Sequence, residues 1–426
     1  MKKNSSLPRL IYTLLLWQLM PYIALHLVWR SRKQPEYLEH VGERFGFYES
    51  AAEQPVIWLH TVSVGETRAV ASLVKRLRAA YPDHRLLLTH TTPTGRAESE
   101  RLYRDDVLRV YIPYDYPFAV KRFLDRFQPA VGILMETEIW PNLIHACHRK
   151  KIPLLLLNAR LSEKSAARYA RYPRLTRMAL QELGGIAAQT AADAGRLEEL
   201  GAQGVETMGN LKFDIEPPPE MLELGGRLRQ QFGESRPVFL AASTRDGEEE
   251  LLLDAIGSHG VAGLLTVIVP RHPQRFDEVA ALLTRRNIEF VRRSENRPVP
   301  LEAAVVLGDS MGEMFAYYVA CDVAFIGGSL LPFGGQNLIE ACAVGKPVLV
   351  GEHTYNFRDA TDDAVACGAA IRVSDAAELG DKLGAMLENR EHLLEMGRTG
   401  LAYAKKNQGA TDRAVRYIQN VLHGNR

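Results

Sequence analysis

Residues 56–89, VIWLHTVSVGETRAVASLVKRLRAAYPDHRLLLT, hold two short apolar runs, at 56–59 and 85–89, separated by the helical-looking segment TRAVASLVKRLRAAY. The alternation continues with apolar runs at 108–112, 131–135, 153–157 and 185–188, and with amphipathic stretches such as YPFAVKRFLDRF. Short apolar strands alternating with amphipathic helices imply a parallel sheet covered on both faces. The pattern stops at 214–221, DIEPPPEM, where three prolines end regular structure and stiffen the connection. It then resumes, with strands expected at 237–242, 264–269, 288–292, 304–307, 322–326, 346–350 and 369–372. A glycine-interrupted helix is expected over GDKLGAMLENREHLLEMGRTGLAYAKKN, and a last helix over 411–422.

The expected fold class is α/β, with two Rossmann-like domains facing across a cleft and an N-terminal hydrophobic helix. The expected divisions are 1–33 for the anchor, 34–214 and 222–405 for the two domains, 215–221 for the linker and 406–426 for the C-terminal helix. The stretch YLEHVGERFGFY between anchor and first strand reads as helical. Open α/β sheets bind ligands at the carboxyl ends of their strands, so a cleft lined by those ends is the expected site. No GxGxxG or GxxxxGK[ST] fingerprint stands at a strand–helix junction, which weakens dehydrogenase and P-loop readings.

Composition narrows the class further. A chain of 426 residues suggests two or three domains, and 46% hydrophobic with 24% charged residues is ordinary for a globular protein. With 52 basic against 51 acidic residues, the chain has no general electrostatic reason to bind nucleic acid. Cys147, Cys321, Cys342 and Cys367 are scattered without metal-ligand spacing, which fits a reducing compartment. Leu10 to Trp29, LIYTLLLWQLMPYIALHLVW, carries no formal charge and is about long enough for one bilayer crossing. Lys2, Lys3 and Arg9 precede it and Arg30, Arg32 and Lys33 follow, so flanking charge does not set an orientation. Trp29 stands at the edge where an interfacial anchor is expected, whereas Gln18, Pro21 and His26 make the span a modest one. A cleaved signal peptide and a helix lying in the interface are the two rivals; no small-residue cleavage site follows before RSRK.

Several polar residues fall where such a fold puts chemistry. His60-Thr-Val-Ser-Val-Gly-Glu66 ends the first strand, and Glu66 there could accept the proton of an attacking hydroxyl. Ser63 and Glu66 also have capping-box spacing, so both readings stand. Glu136 and Glu138 follow a strand directly and precede apolar Ile139, Trp140 and Pro141; no nearby His or Asp completes a metal set. Lys212 lies between apolar neighbours next to the proline linker. In the second half, Arg271 and His272 end a strand where a phosphate ligand fits. The turn Gly308–Glu313 could hold an anion or a base edge with its backbone N–H groups. The glycine pairs Gly327/Gly328 and Gly334/Gly335 would admit a ligand close to the backbone, and a helix expected from about Asn337 would present its positive end.

Taken in order, the stretches GERFGFY, HTVSVGET, TPTG, METEIWPNL, NARLS, NLKFD, PRHP, GDSMGE, GGSLLPFGGQNLIEA and GEHTYNF resemble the 3-deoxy-D-manno-octulosonic acid (Kdo) transferases of Gram-negative lipopolysaccharide assembly. The resemblance runs from the hydrophobic N-terminus to Asn407–Ala410. It implies an inverting, metal-independent transferase of the GT-B type that needs no cofactor. The first domain would take a lipid A precursor and the second CMP-Kdo, at the cytoplasmic face of the bacterial inner membrane. It further implies Glu66 as catalytic base, Glu136 and Lys212 as transition-state stabilisers, and no metal site. Donor contacts would fall on Pro270 and Arg271, on Met311, Gly312 and Glu313, and on Asn337, Leu338, Ile339 and Glu340. The rivals are a related transferase using a UDP-sugar and a non-catalytic nucleotide-sugar binding protein.

Overall fold

The computed structural model describes residues 7–32, 34–50 and 53–424. Lys2, Lys3 and Lys33, expected to flank the anchor, lie outside the described residues. The chain divides into two compact units, Met1–Asp214 with Gln408–Arg426, and Ile215–Asn407.

The first unit is built on a seven-stranded sheet. Its strands are β1 (Val56–His60), β2 (Arg85–His90), β3 (Leu108–Tyr111), β4 (Pro129–Met135), β5 (Leu154–Ala159), β6 (Gly185–Ala188) and β7 (Glu206–Thr207). They run in the order β3-β2-β1-β4-β5-β6-β7, and every pairing is parallel. β1 is buried on both faces, which is why it reads as a continuous apolar run. Val56 and Trp58 join the core that holds Phe123, while Ile57 and Leu59 join the opposite core with Leu73 and Leu77. Gly132 on β4 makes room for the Trp58 ring, because a Cβ there would lie 2.6 Å from Trp58 Cε3.

The second unit repeats the plan. Its strands are β8 (Val238–Thr244), β9 (Leu265–Pro270), β10 (Phe290–Arg292), β11 (Val305–Leu307), β12 (Val323–Ile326), β13 (Val348–Val350) and β14 (Ala370–Arg372). Their order is β10-β11-β9-β8-β12-β13-β14, again all parallel. The last helix, Ala410–Leu422, returns to the first unit and buries Ala410, Ala414 and Ile418 beside Leu73 and Leu77. Asp214 holds its start by accepting the backbone N–H groups of Gly409, at 2.6 Å, and of Thr411.

Four details differ from the sequence expectations. YLEHVGERFGFY forms two short 3-10 turns, Pro35–Leu38 and Val41–Phe45, with left-handed His40 between them and Gly46 after them. The expected helix after β14 is two helices, Ala376–Glu388 and Arg390–Lys406, because Asn389 leaves helical geometry and caps the second one. β7 carries no apolar run, since both its residues are exposed at the sheet edge. Residues 219–221 of the expected linker are helical: Pro219 begins the helix Pro219–Phe232, where a missing N–H costs nothing.

Candidate active site

In the first unit the strand order reverses between β1 and β4, and the two peptide segments leaving those strands carry Glu66 and Glu136. Such a reversal opens a crevice at the carboxyl ends of the strands. Ser63 caps the helix Val64–Ala69 by accepting the N–H of Glu66 at 3.3 Å. The Glu66 carboxylate answers, accepting the Ser63 hydroxyl at 3.0 Å and the Val62 N–H at 2.8 Å. The capping-box reading is therefore realised, and it fixes the carboxylate in place.

Capping does not account for the electrostatics. Burial, helped by the charge of Glu136, pushes the Glu66 carboxyl up to about 7, against the pull of its two hydrogen bonds. A carboxylate tuned near neutral pH is a matched general base. His60 and His90, at the ends of β1 and β2, are buried; burial pulls them down to about 4 and about 3, so both are neutral near pH 7. They bond instead to the Thr89 and Thr61 side chains, bracing the turn without adding charge.

Glu136 has a left-handed backbone, φ 58°, rare for a side chain of its size, and donates its N–H to the Leu157 carbonyl. Its carboxylate accepts from Lys212 Nζ at 3.2 Å, with the two side chains 25% and 17% exposed. Lys212 rides on the 3-10 turn Leu211–Phe213, where Asn210 accepts its backbone N–H at 3.0 Å. The turn is bonded to β5 through Asn158, whose side-chain oxygen accepts the Leu211 N–H at 3.0 Å. Glu138 accepts from the Trp140 indole, and burial raises its carboxyl. Among the described residues no three His, Cys, Asp or Glu side chains converge as a metal site.

In the second unit the order reverses between β8 and β12. Pro270 ends β9; Arg271 follows, its backbone N–H on the Thr244 carbonyl and its Nε donating to Gln336 Oε1 at 3.1 Å. The turn after β11 carries exposed Met311, left-handed Gly312 (φ 86°) and Glu313, which accepts from Ser310 at 2.6 Å and from Arg293 at 3.2 Å. After β12, Asn337 accepts the Ile339 N–H at 3.0 Å and donates to Glu340 at 3.2 Å. Leu338 and Ile339 bury their side chains, so only their backbone can face a ligand.

One glycine of each pair is required by the chain's own packing: a Cβ on Gly327 would lie 2.5 Å from the Ser243 carbonyl oxygen, and one on Gly334 2.4 Å from the Tyr355 ring, whereas Gly328 and Gly335 are left-handed, each with φ 72°. The helix expected from Asn337 is the five-residue Ile339–Ala343, too short to present a strong positive end.

Residues 39–215 match the family model described as 3-deoxy-D-manno-octulosonic-acid transferase (kdotransferase), and residues 288–402 match glycosyl transferases group 1. A 3-deoxy-D-manno-octulosonic acid transferase of Bordetella pertussis is 42% identical, covering 97% of this chain and 99% of its own. The chain belongs to the Kdo transferase family. A second such transferase, from Haemophilus influenzae, is 36% identical over 98% of this chain and 99% of its own. A solved glycosyltransferase from Rickettsia africae, 14% identical, aligns over 88% of this chain and 100% of its own with a TM-score of 0.59. That likeness is one of fold, the two Rossmann-like domains of the GT-B class. The protein is an enzyme, a glycosyltransferase.

In this member of the family three supporting residues escaped the sequence reading. Asn158 interrupts the apolar run LLLLNA, a signal that a polar side chain there has a fixed partner. Asn210 precedes Lys212 by two residues, the spacing of a local side-chain turn. Glu248 is fully buried and accepts the N–H groups of Arg245, Gly328 and Leu330, tying the loop after β12 to the end of β8. Three consecutive glutamates in a helix start, Glu248–Glu250, gave no sign that the first was an internal ligand.

Proposed function

We propose that this enzyme transfers Kdo from CMP-Kdo to a lipid A precursor, with inversion, at the cytoplasmic face of a bacterial inner membrane. The observation that carries the mechanism is a raised-pKa carboxylate, Glu66, close enough to Glu136 to feel its charge, with Glu136 paired to Lys212. Glu66 takes the proton of the acceptor hydroxyl as its oxygen attacks the anomeric carbon of Kdo. The bond to the CMP phosphate breaks on the opposite face, which inverts that centre. Glu136 stabilises positive charge developing on the sugar ring. Lys212 orients Glu136 and balances the sugar's own carboxylate.

The donor groups belong to the second unit. Arg271 meets the phosphate, and the backbone at Pro270, Met311, Gly312 and Asn337 to Ile339 lies against the nucleotide, with Glu313 and Glu340 accepting its hydroxyl and amino hydrogens. A nucleoside monophosphate leaving group carries less charge than a diphosphate. One arginine with backbone N–H donors is a proportionate counter-charge, and we infer that transfer proceeds without a metal ion. The names of the curated relatives support Kdo as the transferred sugar. Incubating the purified chain with CMP-Kdo and detergent-dispersed lipid IVA tests the reading. CMP release and a lipid heavier by one or more Kdo residues are expected; no release, or transfer only from a UDP-sugar, overturns it.

The anchor belongs to the same reading. The N-terminal helix, Leu7–Ser31, is long and apolar enough to cross a bilayer and exposes most of its apolar side chains. Confinement to the membrane surface would bring the enzyme to its lipid acceptor.

A further inference from the structure

The N-terminal helix is fastened to the first unit at several points along its length. Arg9, Tyr12, Thr13, Leu16, Met20, Ile23 and Leu27 form the less exposed stripe, repeating every three or four residues. Tyr12 donates to Asp115 at 3.0 Å, Thr13 donates to Asn142 at 3.0 Å, and the Tyr116 hydroxyl donates to the Leu16 carbonyl at 2.9 Å. Asp115 and Asn142 are themselves 5% and 2% exposed, and Asp115 also accepts the N–H groups of Asn142 and Leu143. Trp17 stacks obliquely on Tyr116 at 5.3 Å. Towards the other end Leu27 is buried, and Arg30 lies 4.5 Å from the ring centre of Tyr37, a buried residue of the following 3-10 turn.

A helix held in this way cannot cross a bilayer alone. Crossing would carry Asp115, Asn142 and the start of the helix Pro141–Arg149 into hydrocarbon, where polar groups are costly. The outward face is nevertheless largely apolar, interrupted by exposed Gln18: Leu10, Leu14, Leu25 and Trp29 are each at least half exposed.

Beside this face the charge pattern changes. The N-terminal helix packs against the helix Pro173–Glu182, which with the preceding helix Glu163–Tyr169 forms a cationic hairpin. Lys164, Arg168, Arg171, Arg174 and Arg177 are all exposed there, and among the described residues none has a carboxylate partner. Exposed Tyr172 stands between them. Burial and the nearby charge of Glu138 raise Tyr169 of the same hairpin, so the surface borders the loop carrying Glu136 and Glu138.

We propose that this surface is a monotopic docking face for an anionic phospholipid bilayer. The N-terminal helix lies in the plane of the interface with its apolar side in the acyl boundary, and the hairpin cations meet headgroup phosphates. The inference rests on the reading that the acceptor is a membrane lipid. It goes further by giving the bilayer's contact surface and by denying that the helix spans it. An apolar strip with an adjacent basic patch is the two-signal arrangement that stable peripheral binding requires.

Two measurements on the full-length chain decide it. With separate tags on the two termini, intact spheroplasts treated with external protease should leave both protected; digestion of the N-terminal tag alone overturns the in-plane helix. In flotation, vesicles of phosphatidylcholine with phosphatidylglycerol should bind the chain far better than phosphatidylcholine alone. The triple variant Arg168→Gln, Arg171→Gln, Arg174→Gln should partition roughly a hundredfold more weakly onto the anionic vesicles. Equal binding to both vesicles, or unchanged binding of the variant, overturns the cationic contact. In detergent with dispersed acceptor the variant should keep wild-type CMP release; a loss there would assign the arginines to the acceptor's own phosphates and overturn the docking role. If wild-type chain releases no CMP, the functional reading fails on its own, while flotation and the tags still decide the docking face.

Discussion

Glu66 and Glu136 are coupled through space, and that coupling is open to titration. A base must be deprotonated to act, so the rate of transfer should fall as pH drops below about 7, the value to which Glu66 is raised. Glu136→Gln removes the like charge and releases Lys212, and both changes favour ionised Glu66. The acidic limb of the pH–rate profile should therefore move to lower pH in the residual activity of that variant, and an unmoved limb would show the two carboxylates to be independent. Stability follows the opposite sign. Ordinary glutamate ionises near 4.5, so between 4.5 and about 7 the folded chain holds a proton that the unfolded chain has lost. Glu66 thus destabilises the fold progressively as pH rises through that window. Glu66→Gln should raise the melting temperature at pH 8 and leave it little changed at pH 4. At this scale the sequence identified which carboxylates stand at strand ends. It held no sign of the tuning, because the burial of Glu66 and the charge of Glu136 beside it arise only when segments distant in sequence meet in the fold.

Elements were legible where burial is two-sided. β1 to β6 and the strands of the second unit announce themselves as apolar runs because both faces of a parallel sheet are covered. β7 and the segment before β1 did not, since neither has an apolar period: one is an exposed edge and the other is bent by left-handed residues at 40 and 46. The connections that brace the site were also silent, because each joins distant segments through one polar side chain. Asp214 is such a brace. Asp214→Ala would uncap the helix Ala410–Leu422 and loosen it from the first unit, at a cost of about 1–2 kcal/mol read as a lower melting temperature. Glu248 is another. Glu248→Ala would free the loop at Gly328 to Leu330, and steady-state kinetics should show the donor KM rising several-fold more than kcat falls. A fall confined to kcat would place that loop outside donor binding.

At the scale of the whole molecule, two units with one plan carry different side-chain chemistry at their strand ends. The first holds ionisable groups tuned by burial, and the second holds an arginine, backbone donors and pinned loops. The topological equivalence of the two sheets was readable from the alternation of strands and helices. The return of the last helix to the first unit was not, because Ala410, Ala414 and Ile418 would suit either core. In the proposed function Glu66 of the first unit is the proton acceptor. The decisive measurement is single-turnover transfer from CMP-Kdo by Glu66→Gln, with CMP affinity determined on the same preparation. The predicted result is a rate lower by roughly two or more orders of magnitude with CMP affinity unchanged. Wild-type transfer by that variant would contradict the account.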